Sequence, residues 1–143
     1  MRTLTELLQE ILKHNNMKIW VNGTFDVIHR GHIELLTEAA KYGDLIVGID
    51  TDERVSLLKG PTRPLHSLSD RMYLISKIKG VSKVVSFNSD EELIQHVASI
   101  SPDYMMVGSD YRGKTVIGSE HAKELIFFNR VEGYSSTKIM NHE

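Results

Sequence analysis

Asn22-Gly23-Thr24-Phe25-Asp26-Val27-Ile28-His29-Arg30-Gly31-His32 is the stretch that decides the fold. It follows Lys18-Ile19-Trp20-Val21, a short run of strand character. It leads into Ile33-Glu34-Leu35-Leu36-Thr37-Glu38-Ala39-Ala40-Lys41, a run of helical character. A strand feeding a glycine-bearing loop and then a helix presents backbone N–H groups to an anion. His29 and His32 stand three apart. With a helix beginning near Gly31, both imidazoles sit at its positive end and can face one phosphate. Gly31 leaves the backbone without a Cβ where a ligand passes close by. The stretch is read as a loop that binds and polarises the phosphates of a nucleoside triphosphate.

Outward from this loop the same alternation repeats. Strands are expected at residues 19–22, 45–49, 81–87, 104–107 and 125–128, and helices at 31–42, 51–58, 67–79 and 90–100. Several strand runs are almost continuously apolar, the pattern of strands covered on both faces. Strands alternating with helices predict an α/β fold: a Rossmann-like, doubly wound, five-stranded parallel sheet with helices on both faces. The last crossover is short, with room for about one and a half helical turns between Gly118 and Lys123. Before the loop, Leu4, Leu7, Leu8, Ile11 and Leu12 fall at i, i+3, i+4, i+7 and i+8, which predicts an amphipathic helix over 3–14. Thr3 and Glu6 have capping-box spacing. The chain therefore divides into an N-terminal helix, residues 1–16, and the motif-bearing domain, 17–143. The helix is expected to pack on the domain or on a second subunit.

Composition excludes several classes. The formal net charge is −2, so no general basic field invites nucleic acid. There is no cysteine, hence no disulfide framework, thiolate zinc site or cysteine nucleophile. No apolar run approaches the ~18 residues of a membrane span. The N-terminus has helical periodicity rather than the continuous apolar core of a signal peptide. The expectation is a cytoplasmic α/β domain. A metal site on the histidine pair would need further ligands, and the other histidines are scattered at 14, 66, 96, 121 and 142.

Three further stretches bear on chemistry. Lys59-Gly60-Pro61-Thr62-Arg63-Pro64 is a Gly/Pro loop with two cations; composition alone also fits a solvated turn. Gly108-Ser109-Asp110-Tyr111-Arg112-Gly113-Lys114-Thr115 matches the P-loop pattern G-x-x-x-x-G-K-T. A P-loop opens a substantial helix, yet Gly118 follows only three residues after Thr115. Arg130-Val131-Glu132-Gly133-Tyr134-Ser135-Ser136-Thr137 places three hydroxyls at a helix start. A bare N-cap explains one of them, and three with free N–H groups make a second phosphate cradle.

Gly23-Thr24-Phe25-Asp26 followed by His29-Arg30-Gly31-His32 resembles the signature of the cytidylyltransferase-like nucleotidyltransferase superfamily, and the resemblance extends over residues 17–140. It implies transfer of a nucleoside monophosphate from ATP or CTP to a small phosphorylated acceptor, with release of pyrophosphate. It makes His29 and His32 catalytic. It puts Gly23, Thr24, Phe25, Asp26 and Gly31 at the nucleotide, with Thr24 on phosphate, Asp26 ordering the loop and Phe25 packing. The Lys59–Pro64 loop, with Arg71-Met72 after it, is similar to the adenylyltransferase half of the bifunctional enzymes that make ADP-heptose. That similarity adds Lys59 and Arg71 to the catalytic set and has Arg63 and Arg71 holding the acceptor. Gly108 and Asp110, followed by Ile117-Gly118-Ser119, resemble the same branch and would face the nucleoside. Ser135-Ser136-Thr137 resembles the family's C-terminal Ser-Thr-Thr motif. Arg130 and the residues after it lean toward glycerol-3-phosphate cytidylyltransferases, where an arginine here meets the acceptor. The implied substrates are ATP with a heptose 1-phosphate-like acceptor, or alternatively CTP with glycerol 3-phosphate. Mg²⁺ would travel on the NTP phosphates rather than in a protein metal site, and a homodimer is implied. A P-loop kinase and a nucleotide-sensing module without turnover are the rival readings.

Overall fold

The computed structural model describes residues 1–130, 133 and 135–140, with the side chains of 13–15, 137 and 138 left out. Five strands form one sheet: β1 (Lys18–Gly23), β2 (Asp44–Asp50), β3 (Val81–Phe87), β4 (Tyr104–Gly108) and β5 (Glu124–Phe128). Their order is β3-β2-β1-β4-β5 and every pairing is parallel. The helices are α1 (Leu4–Asn16), α2 (Arg30–Ala40), α3 (Asp52–Lys59), α4 (Leu68–Ser76), α5 (Asp90–Ile100) and α6 (Ser136–Met140). The order of strands reverses between β1 and β4, and a doubly wound sheet binds ligands beyond the carboxyl ends of its strands at such a point.

The near-continuous apolar runs of β1 and β2 divide between two cores by the strand period of two. Ile19, Val21, Leu45, Val47 and Ile49 join Leu36, Ala39 and Ile75 of α2 and α4 on one face. Trp20, Ile46 and Met105 join Leu93 and Val97 of α5 on the other. The edge strand β3 keeps a half-buried pattern, Val81 to Val85 being exposed or intermediate. Local chemistry agrees with these boundaries. Thr51, Ser67 and Ser89 cap α3, α4 and α5 through their hydroxyls.

Gly48 shows how tightly the second core is set. A Cβ there would stand 2.4 Å from Cζ2 of the buried Trp20 indole. Gly48→Ala is expected to lose about 1–3 kcal/mol by overpacking. Urea unfolding of the variant checks this, and an unchanged midpoint would contradict it.

The β4–β5 crossover is short, as its sequence suggests: among the described residues it carries only 3₁₀ turns at Ser109–Tyr111 and Ser119–His121. Thr115 therefore opens no helix, Lys114 is exposed, and the P-loop geometry is missing. Of the two places expected for the α1 stripe, the domain and a second subunit, the first does not hold. The stripe does not pack on the domain: Leu4 is 72% exposed, Ile11 55% and Leu12 60%.

Candidate functional site

A cleft of about 520 Å³ opens at the carboxyl edge of the sheet. It brings together Gly23, Thr24, Phe25, Asp26, His29, Gly31 and His32 with Lys59, Arg63, Gly108, Arg130, Ser135 and Ser136. Residues up to 109 apart in sequence are joined at one point here: the Ser136 hydroxyl donates to the Val27 carbonyl over 2.8 Å, fastening the start of α6 to the β1–α2 loop. The side chain of Thr137 lies outside the described residues.

Chain direction in the loop is set by Phe25, a non-glycine residue in the left-handed region at φ 50°. Its ring lies beside Gly23, where a Cβ would come within 3.1 Å of it. The same ring stands 5.4 Å from that of His32. Asp26, next in the chain, is buried in the wall of the cleft. Asp26 accepts from the Leu65 and His66 amides at 2.7 and 2.8 Å and from Arg63 Nε at 3.2 Å. Burial alone would raise its pKa. The two amide bonds and the Arg63 guanidinium outweigh that and hold the carboxylate below its usual range. Asp26 thus fastens the Lys59–Pro64 loop to the β1–α2 loop.

The two histidines begin α2. His29 is the N-cap, in extended conformation. Its Nδ1 accepts from the Gly31 amide at 3.0 Å, and Nδ1 of His32 accepts from the His29 amide at 3.1 Å. The pair forms the capping box that hydroxyl and carboxyl groups usually form. A neutral imidazole with Nδ1 as acceptor carries its proton on Nε2. The bonds therefore choose one tautomer for both rings, and both have Nε2–H as donor. The rings stack with centroids 3.9 Å apart. Burial is the main cause lowering both pKa values, aided at His29 by Arg130. His32 is pushed down to about 4 by burial and then by His29, Arg130 and Lys59. Between about pH 4 and the ordinary 6.5 the unfolded chain binds the extra proton and the folded chain does not, so stability should rise with pH through that window. We expect the His32 ring resonances to titrate near pH 4 without ligand; an NMR midpoint at 6 or above would contradict the assignment.

Cations line the same cleft. Lys59, at the end of α3, has no hydrogen-bond or ion-pair partner among the described residues, and burial followed by the Arg63 charge lowers its pKa. Arg63 gives Nε to Asp26, while its Nη2 is buried without a partner among the described residues. A buried orphan donor costs about 1–3 kcal/mol, so an acceptor from a ligand would relieve it. Arg130 lines the cleft but donates through Nε to Asp110 at 2.8 Å. Gly108 makes room for this pair, since a Cβ there would fall 2.5 Å from Asp110 Oδ1 and 2.9 Å from Arg130 Nε.

Two expected site residues stand outside the cleft lining. Asp110 accepts from Arg130 Nε and so holds that side chain. Arg71 is fully buried and does not line the cleft either. Its Nη1 donates to the Thr24 and Asp50 carbonyls at 2.8 Å each, its Nε to His66 O at 3.0 Å, and its Nη2 to the Asp52 carboxylate at 2.7 Å. With each of its three nitrogens so engaged, Arg71 ties three cleft loops together. Sequence reading also passed over Asp50, Arg54 and Tyr111, which line the cleft. Asp50 was the findable one, because it ends the apolar run of β2 at the edge where doubly wound sheets bind ligands.

Residues 20–142 match the family model described as cytidylyltransferase-like. Curated relatives include the "Bifunctional protein HldE" of Helicobacter pylori strain G27, 44% identical over 137 residues, and that of Sulfurimonas denitrificans, 45% identical over 123 residues. These matches cover 94% and 84% of this chain but only 29% and 25% of the relatives, so the chain spans less than a third of their length. Among solved structures, the lipopolysaccharide core biosynthesis protein of Thermoplasma volcanium is similar, with TM-score 0.65 at 22% identity, covering 81% of this chain and 98% of that one. The pantothenate synthetase of Thermus thermophilus gives TM-score 0.60 at 14% identity, covering 97% and 66%. At those identities the likeness is one of fold.

Proposed function

Because the chain belongs to the cytidylyltransferase-like family of nucleotidyltransferases, we propose that it transfers the nucleoside monophosphate of an NTP, ATP before CTP, to a sugar phosphate of the heptose 1-phosphate kind. The observation that carries this is the stacked imidazole pair at the start of α2, each ring turned so that Nδ1 meets a backbone amide, with Lys59 and Arg63 lining the same cleft. A phosphate oxygen of the acceptor attacks the α-phosphorus. The bond from that phosphorus to the bridging oxygen breaks, and pyrophosphate leaves. The acceptor phosphate is itself the nucleophile, so no covalent enzyme intermediate is needed. Preorganised N–H donors from His29 and His32 meet the charge that grows at the α-phosphate, and the helix end adds to their field. Lys59 and Arg63 draw the acceptor phosphate into line, which supplies the orientation part of the rate.

Mg²⁺ belongs to this reading as the companion of the NTP. Among the described residues no three His, Asp or Glu side chains converge to hold a metal ion. The fitting ligands are therefore phosphate oxygens and water, and the ion would neutralise charge on the leaving pyrophosphate. A sugar phosphate stands before glycerol 3-phosphate in this reading because the chain is 44% and 45% identical to two proteins named HldE. Arg130 is compatible with either acceptor. The cytoplasm as place of reaction and a homodimer covering the α1 stripe belong to the same proposal. No helix among the described residues is long and apolar enough to cross a membrane.

The test is a pyrophosphate-release screen of four NTPs against sugar and polyol phosphates. Release with ATP and a sugar 1-phosphate is expected, and CTP with glycerol 3-phosphate would move the assignment to the other branch. Lys114→Ala is expected to keep NTP binding and turnover. Loss of binding in the folded variant would revive the P-loop kinase.

A further inference from the structure

The cleft has two sides about β1. Toward β4 lie the switch point and Met106, Val107 and Gly108, the end where a doubly wound sheet takes its nucleotide. On the other side, β2 and α3 contribute Asp50, Arg54, Leu58 and Lys59. In-line attack on the α-phosphorus brings the acceptor from outside the triphosphate, and this second side is the remaining room.

Asp50 is the unusual group there. It is only 8% exposed, yet it lines the cleft. Its Oδ1 accepts from Arg54 Nε at 2.8 Å. Among the described residues its Oδ2 has only the Thr24 hydroxyl, at 3.4 Å, a long contact. A carboxylate offers about four acceptor positions, so acceptor capacity remains. Arg54 also bonds Asp90 at 2.6 Å, so its one charge is shared between two carboxylates. A carboxylate in a cleft otherwise suited to phosphates repels them and draws donors.

We propose that Asp50 accepts hydrogen bonds from hydroxyls of the acceptor, which is therefore a polyhydroxylated phosphate, and that Arg54 holds Asp50 for this contact. The inference rests on the nucleotidyl-transfer reading and adds where the acceptor lies and what it must offer. Asp50 thereby sets specificity by a polar contact, which discriminates against an acceptor without the hydroxyl far better than an apolar pocket does.

The experiment compares wild type, Asp50→Asn and Asp50→Leu. Pyrophosphate release is followed with a heptose 1-phosphate, mannose 1-phosphate, glycerol 3-phosphate and ethyl phosphate, and NTP binding is measured by calorimetry without acceptor. Both variants should bind NTP within about twofold of wild type. Asp50→Leu should lower kcat/KM for the best hydroxylated acceptor by about 10- to 100-fold, the scale of one charge-assisted hydrogen bond. Asp50→Asn keeps a carbonyl acceptor at nearly the same volume and should lose about threefold to tenfold by the same scale. It also serves as the test if the leucine variant does not fold. Ethyl phosphate, lacking hydroxyls, should show almost no difference between the three proteins. Unchanged kcat/KM in the folded variants would overturn the assignment to Asp50 while leaving nucleotidyl transfer standing. Weakened NTP binding, or a raised Mg²⁺ requirement in place of a raised acceptor KM, would overturn it in favour of a nucleotide or metal contact. If wild type releases no pyrophosphate with any acceptor, the transfer reading falls and this one with it.

Discussion

His29→Ala and His32→Ala are each expected to lower kcat by about 10²–10³ while changing KM for NTP far less, since removing one preorganised donor at a developing charge has that effect. The reason lies in the tautomer. Both Nδ1 atoms accept backbone N–H groups of the first turn of α2, at 3.0 and 3.1 Å, which puts the reactive hydrogens on Nε2. Either alanine also removes a cap, so a stability loss of about 1 kcal/mol should accompany the kinetic one. His29→Asn keeps a hydrogen-bonding group and should fall between wild type and His29→Ala. Burial lowers the pKa of both imidazoles, to about 4 at His32. Bound triphosphate opposes that shift with a charge larger than a helix end's half charge, and we expect the pair to gain a proton in the complex. Activity should then decline toward alkaline pH without vanishing abruptly, because a neutral ring still donates one hydrogen. Steady-state pyrophosphate release by the purified variants decides this, and wild-type turnover in a folded His29→Ala protein would remove the pair from catalysis.

Arg71→Met is expected to destabilise the fold by about 3–5 kcal/mol, the largest stability effect foreseen here. A buried guanidinium is replaced, three carbonyls lose their donors, and Asp52 loses its partner. Asp52→Asn should be much milder, because the Asp52 side chain is 51% exposed and solvent screens the pair. Denaturant unfolding of both variants checks the contrast. Equal, small losses would return Arg71 to the acceptor-binding role that its sequence context suggested.

That contrast shows which features were legible. The sheet was, because the runs around Ile19-Trp20-Val21 and Leu45-Ile46-Val47 are apolar on both strand faces and only a covered parallel strand tolerates that. The histidine spacing was legible as two imidazoles at one helix start. The choice of Nδ1 as acceptor was not, since it depends on the rotation of each ring toward a backbone amide. Arg71 read as an acceptor-holding cation by resemblance; its burial was not legible, because its partners are mostly carbonyls, and carbonyls carry no residue identity. The Asp110–Arg130 pair stands 20 residues apart and follows only once β4 and β5 are known to be neighbours. The α1 stripe announced a helix by its period, but period says nothing of what covers it.

The central claim is attack at the α-phosphorus, and ³¹P NMR of the products tests it most directly. With ATP, Mg²⁺ and the best acceptor of the screen, we predict pyrophosphate and a nucleoside-diphosphate-linked acceptor appearing in equal amounts. Orthophosphate with free ADP, or a phosphorylated acceptor with ADP, would place the attack at the γ-phosphorus and contradict the account.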